Sequence, residues 1–589
     1  MLHSVDDDEE AILVSNEVLP HSDSPDPGSS SMGRSDVRPQ EISAIEKKKE
    51  SEGQYDDDFT EDVLVQIPDD EDQSFFSFRK LWLFTGPGFL MSIAYLDPGN
   101  IESDLQSGAT AQYKLLWVLL SAHIMGMLLQ RMSARLGVVS GKHMAEVAHS
   151  FYPKVPRLIL WTMVELAIIG SDMQEVIGTA IAFYLLSSGA IPLWVGVIIT
   201  ILDTITFLFV DRYGFRKLEF IFGVLITTMA VSFGFEYFVV KPDTVEVVKG
   251  MFIPWCEGCG REQFLQGVSV VGAVIMPHNL YLHSALVKSR KVDRSKESKV
   301  KEANFYYFIE SALALFVSFF INTFVVAVFA HGLFNKTNAE VRATCLSGHG
   351  MYDNRTFPDN NETVSADIYK GGIFLGCEFG IGALYVWAIG ILAAGQSSTM
   401  TGTYSGQFVM EGFIRVRWAK WKRVFVTRSI AIAPTLAIAV WARDIDNLTG
   451  MNDLLNCVQM IQLPFALIPI ITFTSSEKIM HNFKSSRGFQ IFACTASALV
   501  ISINIYFIYD YITSTLGKEW YVLMPLFGAT LLYFSFICYL AVYCFMAIGL
   551  ISEDWKISGF SFKRDYETEA PWLANNVRPI RAHTVTDIF

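Results

Sequence analysis

Asp97-Pro98-Gly99-Asn100 and Met276-Pro277-His278-Asn279 stand inside two long apolar segments and align position by position. Pro98 matches Pro277, Asn100 matches Asn279, and Asp97 matches Met276. Proline and polar side chains at mid-membrane depth break a helix, and unwound backbone is tolerated there only where it lines a cavity. Paired broken helices in the two halves of a carrier point to its substrate site. Here the pair supplies a carboxylate, an amide and a thioether, donors that together suit a metal ion.

The rest of the chain is built to hold such a pair in lipid. Of 589 residues, 51% are apolar and only 18% charged, and near-uncharged runs of membrane-crossing length recur throughout. Twelve spans are expected, at 81–108, 113–137, 157–187, 191–210, 217–240, 266–289, 303–332, 381–412, 424–442, 449–474, 488–511 and 521–550. That count excludes a soluble enzyme, and no enzymatic activity and no nucleic-acid partner are expected.

Charge is unevenly placed. Residues 1–72 hold 22 Asp/Glu against 5 Lys/Arg, a net of −17, whereas the whole chain carries −14, leaving +3 for everything after the tail. With Tyr55 and Phe59 as its only aromatic residues, the tail has too little to bury, and 1–74 reads as a disordered acidic segment without a cleavable signal. One set of alternate loops carries 23 Lys/Arg and the other nine, which puts both termini in the cytoplasm. The sequons at Asn335, Asn354 and Asn361 all fall in loop 333–372, on the expected outer side. Cys256, Cys259, Cys345 and Cys377 are also in outer loops, and Cys345–Cys377 is the expected disulfide. Cys256 and Cys259 read as a second disulfide or as free thiols ahead of a metal clip.

The breaks fall in spans 1 and 6. Five spans per half is an odd number, so the second half enters the membrane in the opposite direction. The expected fold is an all-α polytopic membrane protein with twelve transmembrane helices. It is a LeuT-like 5+5 inverted repeat with broken helices 1 and 6, plus two additional helices. The corresponding divisions are 75–240 for the first repeat, 241–265 for an outer loop, 266–474 for the second repeat, 475–550 for spans 11 and 12, and 551–589 for a second cytoplasmic tail.

Asp97 is an ionisable group in the middle of a span, which costs several kcal/mol unless it has a partner or a task. Its plain alternative is a helix cap, as it is for Asn100. Unwinding also frees backbone carbonyls around Ala94 and Ala273. A thioether at Met276 favours Mn²⁺, Fe²⁺, Co²⁺, Zn²⁺ and Cd²⁺ over Ca²⁺ and Mg²⁺. His278 and His283, five residues apart, do not form a zincin pair, and an intramembrane His near the site suits proton handling, its ordinary pKa being about 6.5. Glu165, Asp172 and Glu175 in span 3 lie within about 80° of one helix face. With Arg428 of span 9 as counter-charge they form either a proton path or a static ion-pair network.

These residues, with Gly86-Pro87-Gly88-Phe89-Leu90 and the run from Gly395 to Gln407, resemble the animal branch of the Nramp family of proton-coupled divalent-metal transporters, from about Phe75 to Leu550. The resemblance implies cotransport of Fe²⁺ or Mn²⁺ with H⁺ into the cytosol, with no cofactor beyond the transported ions. It implies metal ligands at Asp97, Asn100, Met276 and the carbonyls of Ala94 and Ala273, joined in some states by a polar residue of span 10: Asn456, Gln459 or Gln462. It associates proton movement with Asp97, Glu165, Asp172, Glu175, His278, His283 and Arg428. The expected location is the plasma membrane, an endosomal or lysosomal membrane, or both, with trafficking proteins as partners of the tails. A cation-coupled organic-solute carrier of the same fold and a non-transporting metal receptor are the competing readings.

Overall fold

A computed structural model describes residues 65–67, 76–210, 215–347, 356–414, 420–441, 445–514, 520–552, 556–557, 560–561 and 566–576. All of them belong to the unit that begins at Glu61. The acidic tail, Asn354 and the last residues of the chain lie outside the described residues.

Twelve spans occur in the described residues, and their breaks follow the prolines. Span 1 comprises a leading half, Pro87–Ile93, and a trailing half, Pro98–Ala111, preceded by a separate helix, Phe78–Phe84. Gly86 causes that extra interruption, which the sequence reading of 81–108, broken at Asp97–Asn100 alone, did not include. Its φ of 150° is open to glycine, and a Cβ there would run into Glu219 and Arg290. Spans 2 to 5 are Leu116–Ser140, Lys154–Leu186, Leu193–Val210 and Phe215–Val240. Span 6 divides into Arg261–Val274 and Pro277–Leu286. Spans 7 to 9 are Glu297–Gly332, Ile381–Ile414 and Lys420–Trp441. Span 10 is also divided, into Ile445–Gln462 and Pro464–Ser475, and spans 11 and 12 are Arg487–Ser514 and Trp520–Ile548.

Eight segments among the described residues are long and apolar enough to cross a bilayer: spans 3, 5, 6, 7, 8, 10, 11 and 12. Spans 3 and 8 form the most extensive helix pair of the molecule. The most apolar stretches of spans 3 and 6 are 83% and 94% buried, against 28% and 22% for spans 11 and 12. The breaks are therefore in the interior, and the last two spans stand at the periphery, as an appendage to two five-helix units should. Strand structure is confined to two tiny pairs: β1 (Val65–Gln66) parallel to β2 (Arg290–Lys291), and β3 (Lys556–Ile557) antiparallel to β4 (Phe560–Ser561).

In the loop between spans 7 and 8, Cys345 and Cys377 are disulfide-bonded with Cα atoms 4.6 Å apart, and Cys256 and Cys259 are bonded to each other. The side chains of Asn335 and Asn361 are exposed.

Candidate functional site

Each break frees one carbonyl by the same physical route. A helical carbonyl is matched by the N–H four residues later, and proline has none. Pro98 therefore leaves Ala94 without its helical donor, and Pro277 does the same to Ala273. No other donor reaches either carbonyl among the described residues. Asp97 (ψ 165°) and Met276 (ψ 131°) are extended N-cap residues of the helices that restart at the prolines.

Asp97 acts as the helix cap and leaves its second oxygen unpaired. Its Oδ1 caps the helix, accepting from the Asn100 N–H and from Asn100 Nδ2, each at 2.7 Å. Its Oδ2 and the Oδ1 of Asn100 are buried without a hydrogen-bond partner. A buried oxygen left unpaired costs about 1–3 kcal/mol, more when charged, unless a ligand occupies it. The two orphaned oxygens, the two freed carbonyls and the Met276 thioether all belong to residues 0–3% exposed. No cluster of three His, Cys, Asp or Glu side chains occurs among the described residues, so a cation here would be held by one carboxylate and neutral donors.

Span 10 crosses both breaks through Asn456. Its Nδ2 donates to the Gly99 carbonyl in span 1 and to Ser269 Oγ in span 6, both at 3.3 Å. Its Oδ1 accepts from Gln174 Nε2 of span 3 at 2.7 Å. Gln459 Nε2 in turn donates to Gln174 Oε1 at 2.7 Å. Gln462 stands apart from this group, and its Oε1 is buried and unpaired. Two glycines permit the close packing. A Cβ on Gly99 would stand 2.7–2.8 Å from the Gln174 amide, and one on Gly272 would stand 2.5 Å from the Asn456 carbonyl. Gln174 and Ser269 did not emerge from the sequence, because a single buried amide or hydroxyl has no periodic signature.

The ionisable row of span 3 divides. Arg428 Nη1 lies 2.9 Å from Asp172 Oδ1 and 3.1 Å from Glu175 Oε2. Its Nη2 donates to the Thr399 carbonyl and, at 2.8 Å, to Thr403 Oγ1 of span 8. Glu165, two turns earlier, instead accepts from Trp161 Nε1 at 2.9 Å. Gly402, inside the Gly395–Gln407 run, makes room for the cluster: a Cβ there would stand 2.5 Å from Asp172 Oδ1 and 3.2 Å from Glu175 Oε1. Gly178, one turn past Glu175, packs directly on the Pro98 ring, so span 3 carries both the ion cluster and the support of the first break. His278 and His283 are buried on the second half of span 6, about 140° apart around the helix. They therefore face different neighbours.

Polar contacts tie both halves of span 1 to neighbouring elements. On the leading side, Glu310 of span 7 accepts from the N–H groups of Gly86 and Gly88. Arg290 there donates to the carbonyls of Leu83 (3.0 Å) and Thr85 (2.6 Å) and pairs with Glu219 (2.7 Å). On the trailing side, Ser103 meets Ser269 at 3.3 Å, and Glu102 Oε2 accepts from the Ile368 N–H at 2.8 Å.

Twelve spans and two helices broken at prolines, with buried oxygen and sulfur donors at the breaks, define a membrane carrier of the inverted-repeat class. Comparison with known proteins gives the family. The model of the "Natural resistance-associated macrophage protein-like" family matches residues 88–510, and the chain belongs to the Nramp family. It is 68% identical to the NRAMP-like transporter smf-1 of Caenorhabditis elegans over 510 residues, covering 87% of this chain and 91% of that one. It is 59% identical to natural resistance-associated macrophage protein 2 of Mus musculus over 506 residues, covering 86% and 88%. Among solved structures, a variant of the Eremococcus coleocola manganese transporter aligns with a TM-score of 0.68 at 28% identity, covering 83% of this chain and 98% of that one.

Proposed function

We propose that this protein is a proton-coupled symporter that imports divalent transition-metal ions, Fe²⁺ and Mn²⁺ with Cd²⁺ and Co²⁺ as further substrates, into the cytosol by alternating access. The observation that carries this reading is the donor set left unpaired at the two breaks: Asp97 Oδ2, Asn100 Oδ1 and the carbonyls of Ala94 and Ala273, beside Met276. One carboxylate leaves a net positive charge on a bound divalent ion, so the site holds its cargo loosely enough to release it. The thioether supplies the preference for transition metals over Ca²⁺ and Mg²⁺. The Mn²⁺ substrate is supported by the solved manganese transporter, with its 0.68 TM-score.

Metal enters from the side where Ser103 meets Ser269 and leaves on the side latched by Arg290 and Glu310. The basic loops put that second side in the cytosol. A proton is taken at Asp97 and passes along span 3 through Glu175 and Asp172 toward Glu165, with His278 and His283 assisting and Arg428 balancing the charge. The membrane potential favours inward movement by about 2.3 kcal/mol per charge per 100 mV. The protein works in the plasma membrane or an acidic endosomal or lysosomal membrane, with both tails cytoplasmic and Asn335, Asn354 and Asn361 glycosylated. Proteoliposome uptake of Mn²⁺ at pH 5.5 and 7.5, with Fe²⁺, Zn²⁺ and Ca²⁺ as competitors, tests the reading. Uptake should rise at acid pH and be blocked by Fe²⁺ but not Ca²⁺, and undiminished uptake by Asp97→Ala would refute the site.

A further inference from the structure

The amides of Gln459, Gln174 and Asn456 form a chain with a fixed direction. Gln459 donates to Gln174, Gln174 donates to Asn456, and Asn456 donates to the Gly99 carbonyl. Amide oxygen and nitrogen are told apart by their partners, and two backbone carbonyls decide the matter here. The Asn452 carbonyl, 3.0 Å from Gln174 Nε2, can only accept, which fixes the Gln174 amide. The Gly99 carbonyl fixes Asn456 in the same way. The Asn456 oxygen is therefore engaged by Gln174, and its NH₂ group faces the break in span 1. That end of the amide repels a cation.

We infer that Gln174 is a positioning residue that withholds the Asn456 oxygen from the metal, so that span 10 completes the metal shell only after the Gln174–Asn456 bond breaks. This rests on the proposed reading of Asn456 as a metal ligand. The hold is easily exchanged: Gln174 keeps the Asn452 carbonyl when it releases Asn456, and a cation repays the lost bond with a coordinate one. Spans 1, 3, 6 and 10 meet at Asn456, so metal binding is tied to the loss of one of the three hydrogen bonds that Gln174 of span 3 makes with span 10. The glycine of Asp97-Pro98-Gly99-Asn100 acquires a specific task, since any side chain there would displace the Gln174 amide.

Gln174→Leu, which keeps the bulk and removes the hold, should let Asn456 turn its oxygen to the metal at once. Tighter capture and slower release follow, so both KM and Vmax for Mn²⁺ in proteoliposomes should fall, each by about fivefold, the worth of one net hydrogen bond. A merely structural role would lower Vmax with the amount of folded protein and leave KM alone, and loss of a ligand would raise KM. In an Asn456→Ala background the Gln174→Leu effect on KM should vanish. If Gln174→Leu does not fold, Gln174→Glu serves, because its carboxylate accepts from Gln459 but has no N–H for Asn456. Its added charge would lower KM even beside Asn456→Ala, whereas the lost hold would not. A raised or unchanged KM, or a full effect in the Asn456→Ala background, overturns the proposal. Asp97→Ala run in parallel separates the two levels: retained uptake there brings down the site reading, and lost uptake with additive Gln174 and Asn456 effects brings down only the hold.

Discussion

The Asn504 amide of span 11 donates to the Met460 carbonyl of span 10 at 2.9 Å. Pro464, four residues after Met460, lacks the N–H of the regular helical bond, and the Leu463 N–H at 3.2 Å and the Asn504 amide serve the carbonyl instead. Tyr533 of span 12 donates to the neighbouring Ile461 carbonyl at 2.8 Å. Three proline breaks thus free carbonyls at depth. The one in span 10 accepts from span 11, whereas those at Ala94 and Ala273 meet no donor among the described residues. Asn504→Leu should lower thermal stability in detergent by about 0.5–1.5 kcal/mol, the net loss of one hydrogen bond, since the Met460 carbonyl keeps the Leu463 N–H at 3.2 Å. It should leave the KM for Mn²⁺ unchanged, and a shifted KM would place span 11 in the transport path.

Restoring a donor at the second break should be harmful in the opposite sense. Pro277→Ala returns an N–H that can reach the Ala273 carbonyl and continue the helix through Met276. Mn²⁺ affinity, measured by isothermal titration on purified protein, should fall by tenfold or more although Asp97, Asn100 and Met276 are untouched. Unaltered affinity would mean that the Ala273 carbonyl is not a ligand.

Selectivity should follow the thioether. Met276→Ala removes the soft donor and leaves oxygen ligands, which suit Ca²⁺. Ca²⁺ should then compete with Mn²⁺ uptake, and continued rejection of Ca²⁺ would remove Met276 from the basis of selectivity.

Arg428 is the buried counter-charge of Asp172 and Glu175. Removing one partner of a buried ion cluster costs about 3–5 kcal/mol. Arg428→Leu should therefore express poorly, whereas the double variant Arg428→Leu with Asp172→Asn should recover folded protein without recovering the acid stimulation of uptake. Retained acid stimulation in that double variant would mark the cluster as structural.

Outside the membrane, the helix Asn338–Ser347 begins with a reciprocal cap: Thr337 N–H to Glu340 Oε2 at 2.9 Å, and Glu340 N–H to Thr337 Oγ1 at 3.3 Å. The Thr337 N–H holds the Glu340 carboxyl below its ordinary range. A carboxylate with a depressed folded pKa stabilises fully above its unfolded value of about 4.3 and loses that contribution as pH falls through the folded value. Hydrogen-exchange protection at residues 339–341 should therefore stay constant between pH 7 and 5, and Glu340→Gln should lower it throughout that interval. Protection that falls already between pH 7 and 5 would show that the cap does not survive in an acidic compartment.

Much of this protein was legible in the chain. The apolar runs gave twelve spans, because a bilayer imposes one length and one polarity on every crossing segment. Pro98 and Pro277 located the two breaks, because a missing N–H is a property of the residue itself, and Arg428 announced itself as a lone charge in an apolar run. What needed the tertiary structure were relations between spans. Asp97 caps its helix with one oxygen and leaves the other unpaired. Gln174 reaches Asn456 only because Gly99 leaves room. Pro464 breaks a helix as the other two prolines do, yet Asn504 repairs it from a span that follows later in the chain. Proline's effect on its own helix is local and written in the sequence. Whether the carbonyl it frees is filled or left open depends on which side chain another span brings within about 3 Å, and only the packed bundle decides that.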